Sequence, residues 1–404
     1  MEEDAWLPMK GLGRRGRLAA HESLGRRGAW LRMGAGSRER GFVVKMFRKI
    51  LKFAGILAGV LFLAVAGLLV FLSFTEYRPA DVEDLEVEGN ASAALQEGQE
   101  LTIVSWNTGY GCLGETADFF MDGGKGVKTA DAALARQNVD AMIGDLQEMA
   151  PDIVLLQEVD FGSDRSSNIQ ETALFAQAFP AMEAVFARNF QVAFLPYPIP
   201  PIGKVDSGIQ TLSSFQMQGT QRIQLPIPFK WPIRMANLKR CLLLGRIPIE
   251  GSERELVIVN LHLEAYDNGE GKTMQANMLR SILEEAAAKG NYVIAGGDFN
   301  QSFGNVDTTM YPLQEGKWAC GLLDIKEYAK GEWQFAMDNA QPSCRSLDQP
   351  YAGADRETFQ YYLIDGFIVS ENVKILSCET VNRDFVNSDH NPVKLMVQLG
   401  DIAS

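Results

Sequence analysis

The sequence predicts a mixed α/β domain set behind a single transmembrane helix, and three observations carry that prediction. No residue from Phe53 to Thr75 is charged. Short apolar runs rich in Val, Ile, Leu and aromatic residues recur between residues 100 and 404, each long enough for a buried strand. Stretches with helical spacing lie between some of these runs, without the strict alternation of a parallel βαβ array. The 404 residues suit one large domain with additional segments. A chain that is 46% apolar and 22% charged is not disordered throughout. The absence of a triplet period or a longer repeat excludes collagen-like and solenoid architectures.

Residues 1–52 hold 13 Lys and Arg against 5 Asp and Glu, a balance of +8. They are expected to be a disordered cytoplasmic segment, because residues 1–45 are rich in Arg, Gly and Ala and lack apolar periodicity. The run from Phe53 to Thr75 is 23 residues long. At ~1.5 Å per residue it spans a hydrocarbon core of ~30 Å. Its length and its lack of a polar face exclude a core helix. A cleaved signal peptide is the rival reading, although its apolar region is normally only ~7–15 residues. Translation from Met46 is a further reading, since MFRKILKFAGIL has the charged start and apolar run of a membrane-targeting N-terminus. Lys45, Arg48, Lys49 and Lys52 precede the run, and Glu76, Asp81, Glu83, Asp84, Glu86 and Glu88 follow it. The positive-inside rule therefore expects a single-pass protein of the cell membrane, N-terminus cytoplasmic and C-terminal domain extracytoplasmic. Residues 76–99, acidic and small, read as a tether to a domain at 100–404.

Within that domain, strands are expected at 101–106, 152–157, 256–261, 292–295, 362–364 with 366–369, and 393–397. Leu134, Val139, Met142, Leu146 and Met149 keep helical spacing in 129–149, and Pro151 follows the stop. Residues 270–289 and 166–178 also read as helices. Polar and charged residues gather at the strand ends: Asn107, Gln157-Glu158, Asn260 and His262, Asp298 and Asn300, Asp365, and Asp389-His390. A charge at the edge of an apolar strand is costly without a partner or a metal. Two of the chain's three histidines, His262 and His390, belong to this set.

Residues 53–404 carry 25 basic against 46 acidic residues, a balance of −21. That disfavours long-range attraction of nucleic acid. The cysteines, Cys112, Cys241, Cys320, Cys344 and Cys378, form no C-x-x-C pair, so a thiolate zinc site is not expected and buried free thiols are.

The segments SWNTG, LLQEVD, NLHLEA, GGDFNQS, LIDGFIVS and SDHNPV resemble the endonuclease/exonuclease/phosphatase superfamily, the deoxyribonuclease I-like fold, in family order from about residue 100 to 400. The resemblance implies a four-layered α/β sandwich with two central sheets. It also implies cleavage of a phosphate ester with a divalent metal, Mg²⁺ or Mn²⁺, whose preference for hard oxygen donors suits Asn107 and Glu158. By the same resemblance those two residues hold the metal, with Asp389 a second candidate ligand. Asp298 and His390 align and deprotonate the attacking water, and Asp365 pairs with His390. Asn300 donates to a phosphate oxygen, and His262 contacts the phosphate and protonates the leaving group.

Weaker features remain. Lys239 and Arg240 are candidate substrate-binding residues at a strand start. The turn Asp122-Gly123-Gly124-Lys125-Gly126 reads first as an ordinary loop and second as a phosphate cradle. The Pro-rich segments 194–202 and 225–233 read as loops packed on the domain, or as loops resting on the membrane face. Residues 310–361, with Trp318, Trp333 and Tyr351, are assigned to the substrate pocket without a clear pattern. The expected function is a membrane-anchored, divalent-metal-dependent phosphoesterase that works by in-line attack of water, first of all a phosphodiesterase or nuclease. The substrate is a nucleic acid, a phospholipid head group or a small phosphate ester, and residues 53–75 engage the membrane. A phospholipid or inositol-phosphate phosphoesterase is the alternative. A catalytically inactive binding protein on the same fold is the alternative of another class, and no protein partner is inferable.

Overall fold

The computed structural model describes residues 32–267, 269–328 and 332–400. The chain divides into two units, one ending at Leu68 and one beginning at Leu69. Helix α1 (Arg32–Thr75) lies in the first up to Leu68, and its last turns belong to the second. Its Arg40–Thr75 part is long and apolar enough, by length and composition, to cross a membrane. The helix begins at Arg32, which corrects the expectation of disorder for 32–52. No proline interrupts residues 32–75, and Arg, Lys, Met, Leu and Ala all favour helix, so the hydrogen-bond ladder extends well upstream of the apolar run. The expectation for residues 1–31 falls outside the described residues.

Among the described residues the second unit holds two seven-stranded sheets. One runs in the order Val82–Asp84, Gln218–Gln224, Cys241–Pro248, Glu255–His262, Tyr292–Asp298, Asp365–Ser370, Trp333–Ala336. The other runs Val373–Thr380, Val393–Leu399, Glu100–Asn107, Ile153–Asp160, Gly203–Ser213, Glu183–Leu195, Glu88–Gly89. Each sheet has one parallel pair near its middle: Glu255–His262 with Tyr292–Asp298, and Glu100–Asn107 with Ile153–Asp160. Parallel neighbours need a crossover. Helix α2 (Ala132–Met149) provides it in one sheet and α4 (Glu270–Ala287) in the other. The Asp131 side chain caps α2 by accepting from the Leu134 amide at 2.9 Å. The left-handed Ala150 (φ 46°) and then Pro151 end that helix. The shorter α3 (Glu171–Ala178) starts five residues later than the spacing suggested.

Alternation along each strand sorts its side chains between two cores. Leu101, Ile103, Ile153 and Leu155 face Leu243, Ile258, Ile294 and Phe367 between the sheets. Val104, Trp106, Val154 and Leu156 face outward onto Val139, Met142 and Leu146 of α2. Val257, Val259, Val293 and Ala295 do the same onto Leu279 and Leu283 of α4. The layers are therefore helix, sheet, sheet, helix, as the resemblance implied. Each such side chain contributes about 1.5–3 kcal/mol of burial.

Residues 76–99 are not a tether. Val82–Asp84 and Glu88–Gly89 add edge strands to opposite sheets, and Ala91 and Leu95 are buried, Leu95 within the core between the sheets. Apolar residues are few and widely spaced here, so the acidic composition masked the pairing. The five cysteines are free thiols; Cys112, Cys241 and Cys344 are buried as expected, whereas Cys320 and Cys378 are half-buried.

A polar contact crosses the apolar core. Gln157 Nε2 donates to Asn260 Oδ1 at 2.8 Å, and Asn260 Nδ2 donates to the carbonyls of Leu156 (3.1 Å) and Gln210 (2.9 Å). Asn260→Leu strands these buried groups and should cost about 1–3 kcal/mol. Urea unfolding of the detergent-solubilised chain, followed by tryptophan emission, should show a lower midpoint. An unchanged midpoint would remove the bridge from the list of stabilising contacts.

Candidate active site

The two parallel pairs deliver their C-terminal ends to one place. Asn107 Nδ2 lies 3.1 Å from Asp298 Oδ2 and 3.2 Å from Glu158 Oε1. His262 Nε2 lies 3.5 Å from Asp298 Oδ2 and 4.0 Å from Glu158 Oε1. Local backbone devices aim these groups. The Ile153–Asp160 strand slips register between Leu156 and Val159, and Glu158 takes φ 55°, a bulge that turns its carboxylate into the cavity. Such a conformation in a non-glycine residue costs on the order of 1–3 kcal/mol and is held by its surroundings. Gly297 sits at φ 149°, where an added Cβ would collide with the Leu261 carbonyl, so only glycine brings Asp298 this close to the neighbouring strand.

Asp365 opens its strand directly opposite Asp298. Its Oδ2 is 2.8 Å from His390 Nδ1, and the His390 carbonyl accepts from Trp106 Nε1 at 2.9 Å. His390 Nε2 then lies 3.9 Å from Asp298 Oδ2 and 4.0 Å from Asp389 Oδ2. Ser388 Oγ donates to the Asn107 carbonyl at 2.8 Å and fixes this loop to the other strand end. Asn300 donates its amide N–H to Asp298 Oδ1 at 2.8 Å and its side chain to the Leu263 carbonyl at 2.9 Å.

The two imidazoles are tuned in opposite directions. Burial opposes charge on His390, but the carboxylates of Asp365 and Asp389 outweigh it and hold the ring's pKa well above its ordinary value. His262, although 3.5 Å from Asp298 and 4.0 Å from Glu158, is shifted the other way. Burial, reinforced by the charges of Arg240 and His390, holds its pKa well below the ordinary value, and its Nδ1 is buried without a hydrogen bond. A neutral imidazole is a poor proton donor, so the leaving-group role implied for His262 suits this site less well than hydrogen bonding does. Burial first, and then the charge of Asp365, pushes Asp298 up to about 7. Burial pushes Asp389 up to about 6.

A cavity of about 480 Å³ opens over these groups, and Glu158, His262, Asp298, Asn300, Asp389, His390 and Arg240 line it. Asn107 and Asp365 stand behind that surface. Asn107 turns its NH₂ to the carboxylates while Oδ1 accepts from the Gly109 amide at 3.1 Å, so it would ligate a metal only after its amide is reversed. Arg240 donates to the His262 carbonyl at 3.2 Å and lies 3.4 Å from Glu264. Lys239 does not reach the cavity, a correction to its expected role. Its ammonium meets the Arg234 carbonyl and lies 3.6 Å from Glu76, because successive residues of an extended segment point to opposite sides. The 122–126 turn is no phosphate cradle either: the amides of Lys125 and Gly126 donate to the Asp118 carboxylate at 2.9 and 2.8 Å.

The donors fit a hard divalent cation. Glu158, Asp298 and Asp389 line one cavity with hard oxygen donors, the Asp298, Asp365 and His390 ligand atoms lie within 4.8 Å of one another, and burial makes the charged forms of Asp298 and Asp389 costly without a positive partner. Cys344 adjoins Asp389 and His390, but its soft sulfur suits a hard divalent cation less well than the carboxylate oxygens do. Sequence reasoning missed the charged cavity residues Arg165 and Arg345, and placed Asp122 only in a turn. Arg165 pairs with Asp160 at 2.8 Å and covers the Tyr110 ring at 3.7 Å. Arg345 binds the carbonyls of Leu113 and Gly114. Asp122, 3.2 Å from the Tyr266 hydroxyl, is pushed up to about 7 by burial and by the charge of Asp389. All three sit in segments without periodicity. Of the 310–361 aromatics, Trp318 lines the cavity, whereas Trp333 packs in the outer core beneath α4.

Residues 104–390 match the Endonuclease/Exonuclease/phosphatase family. The chain belongs to this family. Members of the endonuclease/exonuclease/phosphatase family are metal-dependent phosphoesterases, and this chain is an enzyme of that class. No curated protein matches the sequence. The endonuclease/exonuclease/phosphatase from Beutenbergia cavernae DSM 12333 is similar at 15% identity over 74% of this chain and 72% of that one, TM-score 0.49. Truncated Caenorhabditis elegans TDP2 is 16% identical over 75% and 99%, TM-score 0.45. The human Nocturnin catalytic domain with bound sulfate is 14% identical over 78% and 97%, TM-score 0.45.

The opposed tuning of the histidines is directly measurable. A ring whose folded pKa is raised adds stability below its unfolded pKa and loses that contribution as pH rises through the folded value. In EDTA-treated protein with labelled histidine, the NMR signal absent from His390→Gln should therefore titrate well above pH 6.5, the ordinary value. In Asp365→Asn it should fall back toward or below 6.5. A His390 ring that titrates near 6.5 in both proteins contradicts the assignment.

Proposed function

We propose that this protein is a membrane-anchored phosphodiesterase that uses a divalent cation, Mg²⁺ before Mn²⁺, held by Glu158 and Asp389 with Asn107, beside Asp298 and His390. The observation that carries this reading is geometric: His390, 2.8 Å from Asp365 through Nδ1, sets Nε2 3.9 Å from Asp298 Oδ2 on a cavity that Glu158 and Asp389 also line. The α1 helix and its basic upstream flank support anchoring in the cell membrane with the catalytic domain extracytoplasmic.

A cation held by Glu158 and Asp389, with Asn107 once its amide is reversed, would neutralise charge on the phosphoryl oxygens. The chain's own residues do the rest. Asp298, with a carboxyl that titrates near neutrality, accepts a proton from the attacking water. His390, kept charged by Asp365, presents Nε2 as a fixed donor to the charge that grows on phosphate. His262 and Asn300 line the same surface and orient a phosphoryl oxygen. Water forms a new bond to phosphorus as the bond to the leaving group breaks. The departing oxygen keeps that electron pair and takes a proton from solvent, leaving a phosphate monoester and an alcohol.

The detergent-solubilised chain should hydrolyse bis-p-nitrophenyl phosphate, lose that activity in EDTA and regain it with Mg²⁺. Asp298→Ala and His390→Ala should each lower kcat by at least about 10³, since each removes a proton acceptor or a fixed charge from the transition state. A folded chain that binds metal but turns over no ester moves the reading to a binding protein on this fold.

A further inference from the structure

Much of the cavity is apolar. Phe120, Leu195, Tyr197, Ile202, Phe229 and Leu238 line it, drawn from the segments around 120, 195–202 and 229–238. Phe120 and Tyr197 meet edge to face at 5.6 Å. The same segments carry large side chains into solvent: Ile199 is 91% exposed, Tyr197 67%, Ile233 62% and Trp231 57%. Exposed apolar groups gathered on neighbouring loops mark a surface meant to be covered.

The chain itself indicates the cover. The apolar run ends at Thr75, and its last residues are fastened to this loop. Trp231 Nε1 donates to Ser73 Oγ at 3.3 Å. Arg234 donates to both Glu76 carboxylate oxygens at 2.9 and 3.3 Å, and Lys239 lies 3.6 Å from the same group. The Glu76 side chain is fully enclosed by these partners. The segment that walls the cavity is therefore the segment on which the uncharged helix ends. Lys230 stands exposed on one of these loops and Lys204 at the start of the strand Gly203–Ser213 that follows another, in an otherwise acidic domain, where they suit anionic head groups.

The cations inside the cavity argue against a polyanionic substrate. Arg165 is neutralised by Asp160, Arg240 by Glu264, and Arg345 is spent on backbone carbonyls. Two of the three are paired with carboxylates, so the cavity offers too little free positive charge for a run of phosphates.

We infer that the cavity opens onto the bilayer surface and takes a lipid phosphate ester. The phosphoryl group meets the Asp298–His390 end, and the hydrocarbon lies against Phe120, Tyr197, Phe229 and Leu238. The inference rests on the reading of the chain as a membrane-anchored phosphoesterase and narrows its substrate class. The reaction is the same hydrolysis, one water added to yield an alcohol and a phosphate monoester.

The test uses the full chain in vesicles of phosphatidylcholine and phosphatidylglycerol. Brominated acyl chains should quench tryptophan emission in the wild type, and the quenched component should be missing from Trp231→Phe. Phosphatidylglycerol, phosphatidylcholine or sphingomyelin in the vesicle should turn over at least about tenfold faster than glycerophosphoglycerol, glycerophosphocholine and bis-p-nitrophenyl phosphate in solution, because only the lipids bury hydrocarbon in the cavity. Ile199→Ser combined with Ile233→Ser should lower vesicle turnover relative to soluble-ester turnover by about tenfold. Soluble esters hydrolysed with Trp231 unquenched, or with no lipid turned over, overturn the inference and leave the phosphoesterase reading standing. No turnover of any ester, bis-p-nitrophenyl phosphate included, overturns both.

Discussion

The amide pair Gln157–Asn260 is the contact on which the geometry of the site depends. It is a polar bond between two sheets that meet largely through hydrocarbon, with Arg222 to the Arg188 carbonyl and Asn107 to Asp298 as further polar crossings. Apolar packing is non-directional and tolerates small slides, whereas a buried amide does not, since any slide leaves its groups unpaired. Gln157 is paired in register with Asn107 and precedes Glu158, and Asn260 lies beside Gly296 and two residues before His262. Setting one sheet against the other at this level therefore sets the distances among Asn107, Glu158, His262 and Asp298 together.

The second organising feature is electrostatic. Four carboxylates converge where the strands end, and the protein answers them unequally. One histidine, backed by Asp365, is kept charged. The other, beside Arg240, is kept neutral. The same burial acts on both rings, so the difference comes from their neighbours. A site so arranged has a fixed positive group, a proton acceptor poised near neutrality and a residual negative charge that only a cation relieves.

Much of this was legible in the sequence. Buried strands such as Glu100–Asn107, Ile153–Asp160 and Glu255–His262 announce themselves because both faces are apolar, and polar residues at their ends stand out against that background. The strands Glu183–Leu195, Gly203–Ser213 and Gln218–Gln224 went unread because they carry Gln, Arg, Ser and Asp on partly exposed or hydrogen-bonded faces, and their pairing is settled by tertiary contacts. The site's chemistry was readable residue by residue where a motif existed. Lys239 and Arg240 show the limit: adjacent in sequence and alike in charge, they face opposite ways, and only the extended backbone decides which one sees the cavity. Arg165, Arg345 and Asp122 lie in irregular segments, where neither period nor motif marks a residue.

The weaving of residues 82–95 into both sheets has a consequence for how the enzyme meets its substrate. A flexible linker of two dozen residues would let a domain wander over roughly 25–30 Å. Here that length is spent on strand pairing and core contacts, and Glu76 is bound as soon as the helix ends. With α1 read as the anchor, the chain has no slack. For the lipid substrate inferred above, the search would then be a lateral walk in two dimensions rather than a sweep through volume, and the frequency of encounter would be set by how densely the target populates the surface and not by its concentration in the surrounding fluid.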